Sequence, residues 1–191
     1  MSAMPNPMPT SQADKEMLLK LLRDSRECFL ASFDNVSDEQ SCRRPAEGSW
    51  SVLETVEHLT SAETIMSKLI TSERRPRTPN APNREEVFLQ VVANRSRKLQ
   101  SPEAAVPCGR FANLNEAAAQ FKASRAGIIQ FVQECPEDLR ATEVTHPHPV
   151  AGVVSTFELI IIIAKHAERH ALQIEEIKQG PAFRGLAAAR G

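Results

Sequence analysis

The fold of this chain is decided by its last long apolar stretch, STFELIIIIAKHAERHALQIEEIK, at residues 155–178. With 3.6 residues per turn, the stretch predicts one helix of about six turns, which is well above the minimum length of a stable helix. Ser155 and Glu158 have the spacing of a capping box, which predicts that the helix begins there. Gly180 and Pro181 follow the stretch and predict where the helix ends.

One face of this helix is an apolar stripe that contains two histidines. The stripe follows the 3–4 spacing of a buried helix face and comprises Leu159, Ile162, Ile163, His166, His170, Ile174 and Ile177. Because His166 and His170 are one turn apart, their Cβ atoms lie about 5–6 Å from each other, and both rings could reach one metal ion. The alternative is a pair of metal-free core histidines, each of which would need its own polar partner. A metal site needs a third ligand from elsewhere in the chain.

The composition is that of one compact domain with balanced charge. The 191 residues suffice for a sizeable core. The 23 basic residues nearly balance the 24 acidic ones, which argues against nucleic acid or an anionic membrane as a partner. The longest apolar run, residues 159–164, is too short to span a bilayer. The four cysteines form no Cys-x-x-Cys pair, which argues against a thiolate zinc site and favours a reduced, cytoplasmic setting.

The chain divides into three parts. Residues 1–10 lack the basic and apolar regions of a signal peptide and are predicted to be a disordered tail. Residues 11–180 are predicted to form one helical domain, and residues 181–191 a C-terminal tail. Residues 140–152 are predicted to be extended, because each of two prolines there keeps the preceding residue out of the helical conformation.

Apolar periodicity and capping signals predict four long helices and two lesser ones. The long helices are predicted at residues 11–33, 49–72, 113–134 and 155–178. A short turn of helix is predicted at 37–40, and a weaker helix at 84–99 whose basic residues, Arg95 among them, form a solvated face. No strand is apparent. The fold class is therefore predicted to be all-α, an antiparallel four-helix bundle with one or two short extra helices.

The second long helix supplies a third histidine. His58 lies beside its apolar stripe, one turn past Glu54. Ser51 and Glu54 have the spacing of a capping box, the role that we favour for Glu54, although its carboxylate could also serve a metal centre as a ligand or as an acceptor. Trp50 precedes the cap and is expected to pack against the helix end. Because bundle cores build metal sites from facing helices, His58 could converge with the other two histidines.

These residues resemble a known family. The signatures W-S-x-x-E-x-x-x-H-L at residues 50–59 and H-x-x-R-H-x-x-Q-I at residues 166–174, with a histidine–proline stretch at 146–152, are similar to the DinB/YfiT-like metalloprotein superfamily. The resemblance spans residues 12–178. It implies a four-helix bundle that binds one divalent ion, nickel, zinc or iron, through three histidines. In this chain these ligands would be His58, His166 and His170.

The resemblance also implies a range of functions. Some relatives are thiol-dependent transferases or isomerases, and family members are usually homodimers. The first hypothesis is therefore a metal-dependent enzyme, either an S-transferase or isomerase that uses a low-molecular-weight thiol or a hydrolase of a small substrate. Three imidazoles leave a coordination position open for water or thiol, which fits a catalytic site. The alternative is a non-catalytic, dimeric metal-binding or stress-response module, and a third hypothesis is a metal-free bundle.

Further side chains are candidates for the pocket around the ion. Arg169 could hold an anionic group of a substrate, although an ion pair with a helix carboxylate is the simpler expectation. Gln173 is expected at the edge of the site, and His146 at the mouth of the pocket or, with His148, in a loop. Glu168 lies about 200° around the helix from His166 and faces away, which excludes the metalloprotease arrangement. No side chain is assigned as the catalytic group.

Overall fold

The computed structural model describes residues 9–96, 99–181 and 183. Within these ranges the chain forms six α-helices: α1 (Gln12–Ser32), α2 (Asp38–Ser41), α3 (Val52–Ser72), α4 (Glu85–Val91), α5 (Leu114–Glu134) and α6 (Thr156–Gln179). The long helices α1, α3, α5 and α6 pack against one another as the four-helix bundle that the sequence predicts. A single 3₁₀ turn, Glu103–Ala105, lies in the connection between α4 and α5.

Three helices begin with a capping box. In each, a serine hydroxyl accepts a hydrogen bond from the backbone N–H three residues later, and the side chain of that later residue accepts from the N–H of the serine. The pairs are Ser37–Gln40, Ser51–Glu54 and Ser155–Glu158. Because the first N–H groups of a helix have no partner within the helix, these caps fix where α2, α3 and α6 begin.

Helix α6 runs through the interior of the domain. It packs against α1, α3 and α4, and every residue from Thr156 to Ala164 is buried. The prediction of a single buried stripe is therefore wrong for the first turns of α6, because α4 and short strands cover the face that the prediction left to solvent. Across the described residues, no helix combines the length and the apolar character needed to cross a bilayer.

Three short strands pack near the start of α6. β1 (Arg75–Pro76), β2 (Thr142–Thr145) and β3 (Val153–Ser155) form an antiparallel sheet in the order β1-β2-β3. The expectation that the chain has no strands is therefore wrong. The segment predicted to be extended is a hairpin, in which the buried side chains of Val144 and Val154 stand opposite each other. Pairing of such short segments depends on contacts across the loop, which local periodicity does not report.

The helix predicted at residues 84–99 is shorter than expected. It ends at Val91 and is followed by a turn. Most helix stability in proteins comes from packing an apolar face, and here Val87 and Val91 each remain 51% exposed. The apolar residues of this segment therefore contribute too little burial to extend the helix further.

The domain reaches slightly into both predicted tails. Thr10 is buried, and its hydroxyl accepts a hydrogen bond of 2.8 Å from the N–H of Leu139. Phe183 is half-buried and packs against an apolar cluster that includes Phe29 and Ile177. Residues 1–8, 182 and 184–191 of the predicted tails lie outside the described residues.

A buried ion pair joins α1, α3 and α5. The side chains of Arg125 and Glu63 are both 0% exposed. Arg125 Nε donates to Glu63 at 3.1 Å, a second bond joins its Nη2 to the same carboxylate, and its Nη1 donates to the Leu22 carbonyl at 2.7 Å and to the Ser25 hydroxyl at 2.8 Å. The pair is thus a polar layer between two apolar clusters of the core.

Candidate metal centre

His58 on α3 meets His166 and His170 of α6 inside the bundle. One ring nitrogen from each residue lies within 4.8 Å of the others, and the Nε2 atoms of His166 and His170 are 2.9 Å apart. The ring centroid of His58 lies 5.3 Å from that of His166 and 4.7 Å from that of His170. Among the described residues, this is the one group of histidine, cysteine or acidic side chains that could hold a metal ion. The rings converge as predicted, whereas binding of an ion stays a prediction.

Two of the three rings are oriented through their Nδ1 atoms. His58 Nδ1 lies 2.8 Å from the carbonyl oxygen of Ala105, and His170 Nδ1 lies 2.9 Å from Gln173 Oε1. Because both oxygens accept hydrogen bonds, each Nδ1 carries the proton and donates. A neutral imidazole protonated at Nδ1 keeps its lone pair on Nε2. His58 and His170 can thus each offer Nε2 as a ligand.

The third ring, that of His166, tests whether the three residues fit a metal ion, because its two nitrogens lack ordinary hydrogen-bond partners. Its Nδ1 is buried without a hydrogen-bond partner, and its Nε2 faces that of His170. A proton on Nδ1 would leave the two Nε2 lone pairs opposed, and a proton on Nε2 would leave Nδ1 as a bare, buried acceptor. His166 and His170 would hold a cation through the lone pairs that otherwise oppose each other. The three residues therefore fit a metal ion of the kind that imidazole binds.

Burial keeps these rings neutral. It lowers the pKa of His58, and it holds the pKa of His166 and His170 well below the ordinary imidazole value. The charge of neighbouring rings also lowers the pKa of His166 and His170. The hydrogen bond to Ala105 raises the pKa of His58 and so partly opposes the effect of burial. Since only a neutral imidazole offers a lone pair to a metal, the site is prepared for binding at neutral pH.

The lowered pKa values predict that the metal-free protein loses stability in mild acid. The unfolded chain takes up protons as the pH falls through the ordinary value of 6.5, while the folded rings stay neutral. The free energy of unfolding should therefore fall with pH below 6.5, by up to about 1.4 kcal/mol per pH unit for each such histidine. Urea unfolding of chelator-treated protein between pH 5 and 7.5 measures the slope.

The control for this prediction is the double variant His166→Gln/His170→Gln. It lacks the two rings whose pKa values are lowered most. Its free energy of unfolding should therefore depend less steeply on pH than that of the unmodified protein. Equal slopes for the two proteins would contradict the assignment of buried, neutral rings.

Gln173 is the predicted pocket residue that contacts the centre directly. Its Oε1 accepts from His170 Nδ1 and also from Arg95 Nη1, which is 3.2 Å away. Arg95 is in turn held by two hydrogen bonds of 2.7 Å to Glu176. The expectation that Arg95 lies on a solvated helix face is therefore wrong. Because α4 ends before Arg95, the side chain can turn back toward α6, and no helical periodicity signals this contact.

Two acidic side chains of the helices that carry the histidines have partners away from the three rings. Glu54 accepts from the Ser51 N–H at 2.8 Å and from Arg44 Nε at 2.9 Å, which confirms the capping-box interpretation. Glu168 accepts from Lys165 Nζ at 3.0 and 2.8 Å.

Arg169 lies at the edge of the centre. Its Nη1 donates to the backbone carbonyl of Asn94, in the turn that follows α4. Burial lowers the pKa of Arg169, and the nearby charge of Arg95 lowers it further. The Glu176 carboxylate, which is paired with Arg95, acts in the opposite direction and raises the pKa of Arg169.

His146 and His148 lie in the loop of the β2–β3 hairpin, as expected for loop residues. His146 Nδ1 accepts from the His148 N–H at 3.0 Å, and His148 Nδ1 accepts from the Val150 N–H at 3.2 Å. The charge of His146 contributes to the lowered pKa of His166, so this ring lies within electrostatic range of the centre. It is not a member of the three-histidine group.

Two side chains next to His58 were not predicted to belong to the site. The ring of Trp50 is half-buried, and its centroid lies 4.8 Å from that of His58 at an interplanar angle of 38°. Ser101 Oγ lies 3.3 Å from His58 Nδ1. The sequence marked Trp50 as a packing residue only, and Ser101 lies in an irregular connection where no pattern could single it out.

Comparisons with known proteins show which family and which fold this chain shares. The family model of the DinB superfamily matches residues 21–174, a range that contains all three histidines. The uncharacterized protein YuaE of Bacillus subtilis (strain 168) is 26% identical over 146 residues, which are 75% of this chain and 86% of YuaE. YfiT from Bacillus subtilis, whose solved structure is described as that of a probable metal-dependent hydrolase with an unusual four-helix bundle topology, has a TM-score of 0.58.

The likeness to YfiT covers 94% of this chain and 92% of YfiT at 13% sequence identity, and it shows a shared fold. The match to the family model shows the family, because it is a match of the sequence itself over residues 21–174, a range that includes the histidines of both helices. This chain belongs to the DinB superfamily.

Proposed function

We propose that this protein is a metal-dependent enzyme for a small substrate, with one divalent ion held by His58, His166 and His170. The observation that carries the proposal is the convergence of three imidazoles, His58 and His170 buried and His166 half-buried, of which His58 and His170 have Nδ1 fixed as the donor. Three protein ligands leave a coordination position open, which is typical of catalytic rather than structural zinc sites. When bound, a divalent ion supplies Lewis-acid chemistry at that position.

The chain's own residues would bind and orient the reactants. The Ala105 carbonyl and Gln173 hold two ring protons, so that the opposite nitrogens are directed toward the ion. The charge of Arg95 is balanced by the Glu176 carboxylate, so Arg169 is the residue at the edge of the centre that we propose for an anionic group of a substrate. The ring of Trp50 supplies an apolar surface beside His58.

Hydrolysis is the reaction class that we favour, since YfiT is described as a probable metal-dependent hydrolase. Transfer or isomerisation with a low-molecular-weight thiol is the second candidate and rests on the family resemblance. An assay panel of small esters, amides and electrophiles, run with the zinc-loaded protein with and without added thiols, separates the two. Turnover without thiol supports the hydrolase, and turnover that requires thiol supports the transferase or isomerase.

A non-catalytic metal-binding module is the alternative to both enzymes. Such a module would bind the ion, yet it would turn over no substrate in that panel.

We also propose a homodimer in the cytoplasm: the dimer rests on the family resemblance, and the compartment on four cysteines that are all free thiols. Light scattering after size-exclusion chromatography tests the dimer directly.

Replacing Gln173 with leucine is expected to weaken metal binding about 10- to 100-fold, which is the usual effect of removing a residue that orients a ligand. Leucine removes the acceptor of the His170 Nδ1 proton, so the ring is no longer held with Nε2 toward the ion. Competition with a chromogenic chelator measures the zinc affinity. Gln130→Leu is the control, because Gln130 is exposed on α5 and bonds only to Glu134 among the contacts described. Equal affinities in the two variants would contradict the role of Gln173.

A further inference from the structure

A buried carboxylate adjacent to His58 in sequence anchors the loop that orients His58. Glu57 is 1% exposed. It accepts hydrogen bonds from the Cys108 N–H at 2.7 Å, from the Gly109 N–H at 3.1 Å and from Arg110 Nη1 at 2.9 Å. Gly109 has a φ of +80°, a conformation that glycine adopts readily and other residues rarely do. One side chain of α3 therefore fixes three consecutive residues of the connection between α4 and α5.

Arg110 in turn holds the peptide groups on both sides of Ala105. Its Nη1 donates to the Val106 carbonyl at 2.9 Å, and its Nη2 contacts the Ala104 carbonyl at 3.4 Å. The end of a helical turn leaves carbonyl groups without partners in the turn itself, and this 3₁₀ turn ends at Ala105. Three consecutive carbonyls thus find partners: the outer two bind Arg110 and the middle one binds His58 Nδ1.

The loop is anchored by the same helix that carries His58. Glu57 and His58 are consecutive residues of α3, so the residue that anchors the loop and the residue that the loop orients are fixed to the same rigid element. The Ala105 carbonyl shares one planar peptide unit with the Val106 N–H, which donates to the Glu103 carbonyl at 3.1 Å, and Arg110 holds the units on either side, so the Ala105 carbonyl has little freedom to rotate away from the ring.

We infer that Glu57 and Arg110 are positioning residues for His58: they hold the Ala105 carbonyl against Nδ1 and thereby keep Nε2 of His58 free and directed into the centre. The inference rests on the proposed metal centre for its functional consequence. The Ala105 carbonyl can only accept, so it selects the tautomer with the proton on Nδ1. Ser101 Oγ, 3.3 Å away, can donate as well as accept and does not select a tautomer.

The test uses two variants that keep the size or the charge of the side chain. Glu57→Gln keeps the shape and removes the negative charge, and Arg110→Lys keeps the positive charge and removes the planar fork that reaches two carbonyls. In the metal-free protein, ¹⁵N-histidine NMR reads the Nδ1 proton of His58, assigned with a His58→Gln variant. In the same proteins, chelator competition measures the affinity for Zn²⁺.

In both variants we expect the Nδ1–H of His58 to exchange with water at least about tenfold faster, and the Zn²⁺ affinity to fall at least about tenfold, since removal of an outer partner of a ligand has this order of effect. Arg74→Lys is the matched control: it weakens a guanidinium–carboxylate pair with Glu137 at a distance from the histidines, and both readings should match those of the unmodified protein.

An unchanged His58 signal in Arg110→Lys would overturn the inference, and so would an unchanged Zn²⁺ affinity in a variant whose His58 proton is no longer protected. Arg110 is partly exposed, with 36% of its side chain accessible, so its replacement is compatible with folding even if Glu57→Gln is not. If the unmodified protein binds none of Zn²⁺, Ni²⁺ and Fe²⁺, the proposed function fails, and the NMR signal alone still decides whether Glu57 and Arg110 orient His58.

Discussion

Replacing Arg125 with methionine is expected to destabilise the metal-free protein by about 3–5 kcal/mol, which is the typical cost of removing one partner of a buried ion pair. The variant would leave the Glu63 carboxylate at 0% exposure without a countercharge. It would also remove the donors that now satisfy the Leu22 carbonyl and the Ser25 hydroxyl. Urea unfolding followed by circular dichroism measures the loss.

A double variant distinguishes the cost of the unpaired charge from the cost of altered packing. In the double variant Arg125→Met/Glu63→Leu no charge is left buried, so much of the lost stability should return, because apolar replacement of a whole buried pair is often neutral or stabilising. Arg43→Met is the surface control: Arg43 pairs with Glu39 where both side chains are about half exposed, and its loss should hardly change stability. A double variant no more stable than Arg125→Met would contradict the assignment of an uncompensated buried charge.

Alanine at His58 or at His170 is expected to abolish tight metal binding. Each substitution removes one of the three rings whose ligand nitrogens lie within 4.8 Å of one another, and two imidazoles do not complete a site of this kind. At an ion concentration of about 1,000 times the Kd, the unmodified protein should gain about 4 kcal/mol of stability from Zn²⁺ and either variant almost none. Thermal unfolding with and without Zn²⁺, together with elemental analysis of protein purified without a histidine tag, gives both readings.

His148→Ala is the control for these variants. His148 lies in the hairpin loop, outside the three-histidine group, and its removal should leave one ion per chain. Full stoichiometry in His58→Ala or in His170→Ala would remove that residue from the site.

The bundle and the convergence of the histidines could be predicted because both depend on local signals. The capping boxes at Ser51 and Ser155 mark where α3 and α6 begin, and both are formed. The one-turn spacing of His166 and His170 already places their rings on one side of a helix. His58 lacked such a local signal, and its place was predicted from helix pairing in bundles and from the family resemblance.

The parts that could not be predicted depend on contacts between distant segments. The pairing of β2 with β3 has no periodic pattern in segments of four and three residues. Arg95 could reach Gln173 only because α4 ends early, and the Ala105 carbonyl lies in a connection without regular periodicity. The buried pair of Glu63 and Arg125 was missed because charged residues on a helix are normally assigned to its exposed face.

The central claim is that three imidazoles from two helices meet around one cation. Anomalous diffraction at the zinc edge, from crystals of protein loaded with one equivalent of Zn²⁺, tests it most directly. We predict one anomalous peak per chain, at about 2.0–2.1 Å from an Nε2 atom of each of His58, His166 and His170. A fully loaded crystal whose zinc peak lies elsewhere, or whose peak touches only the two histidines of α6, would contradict the claim.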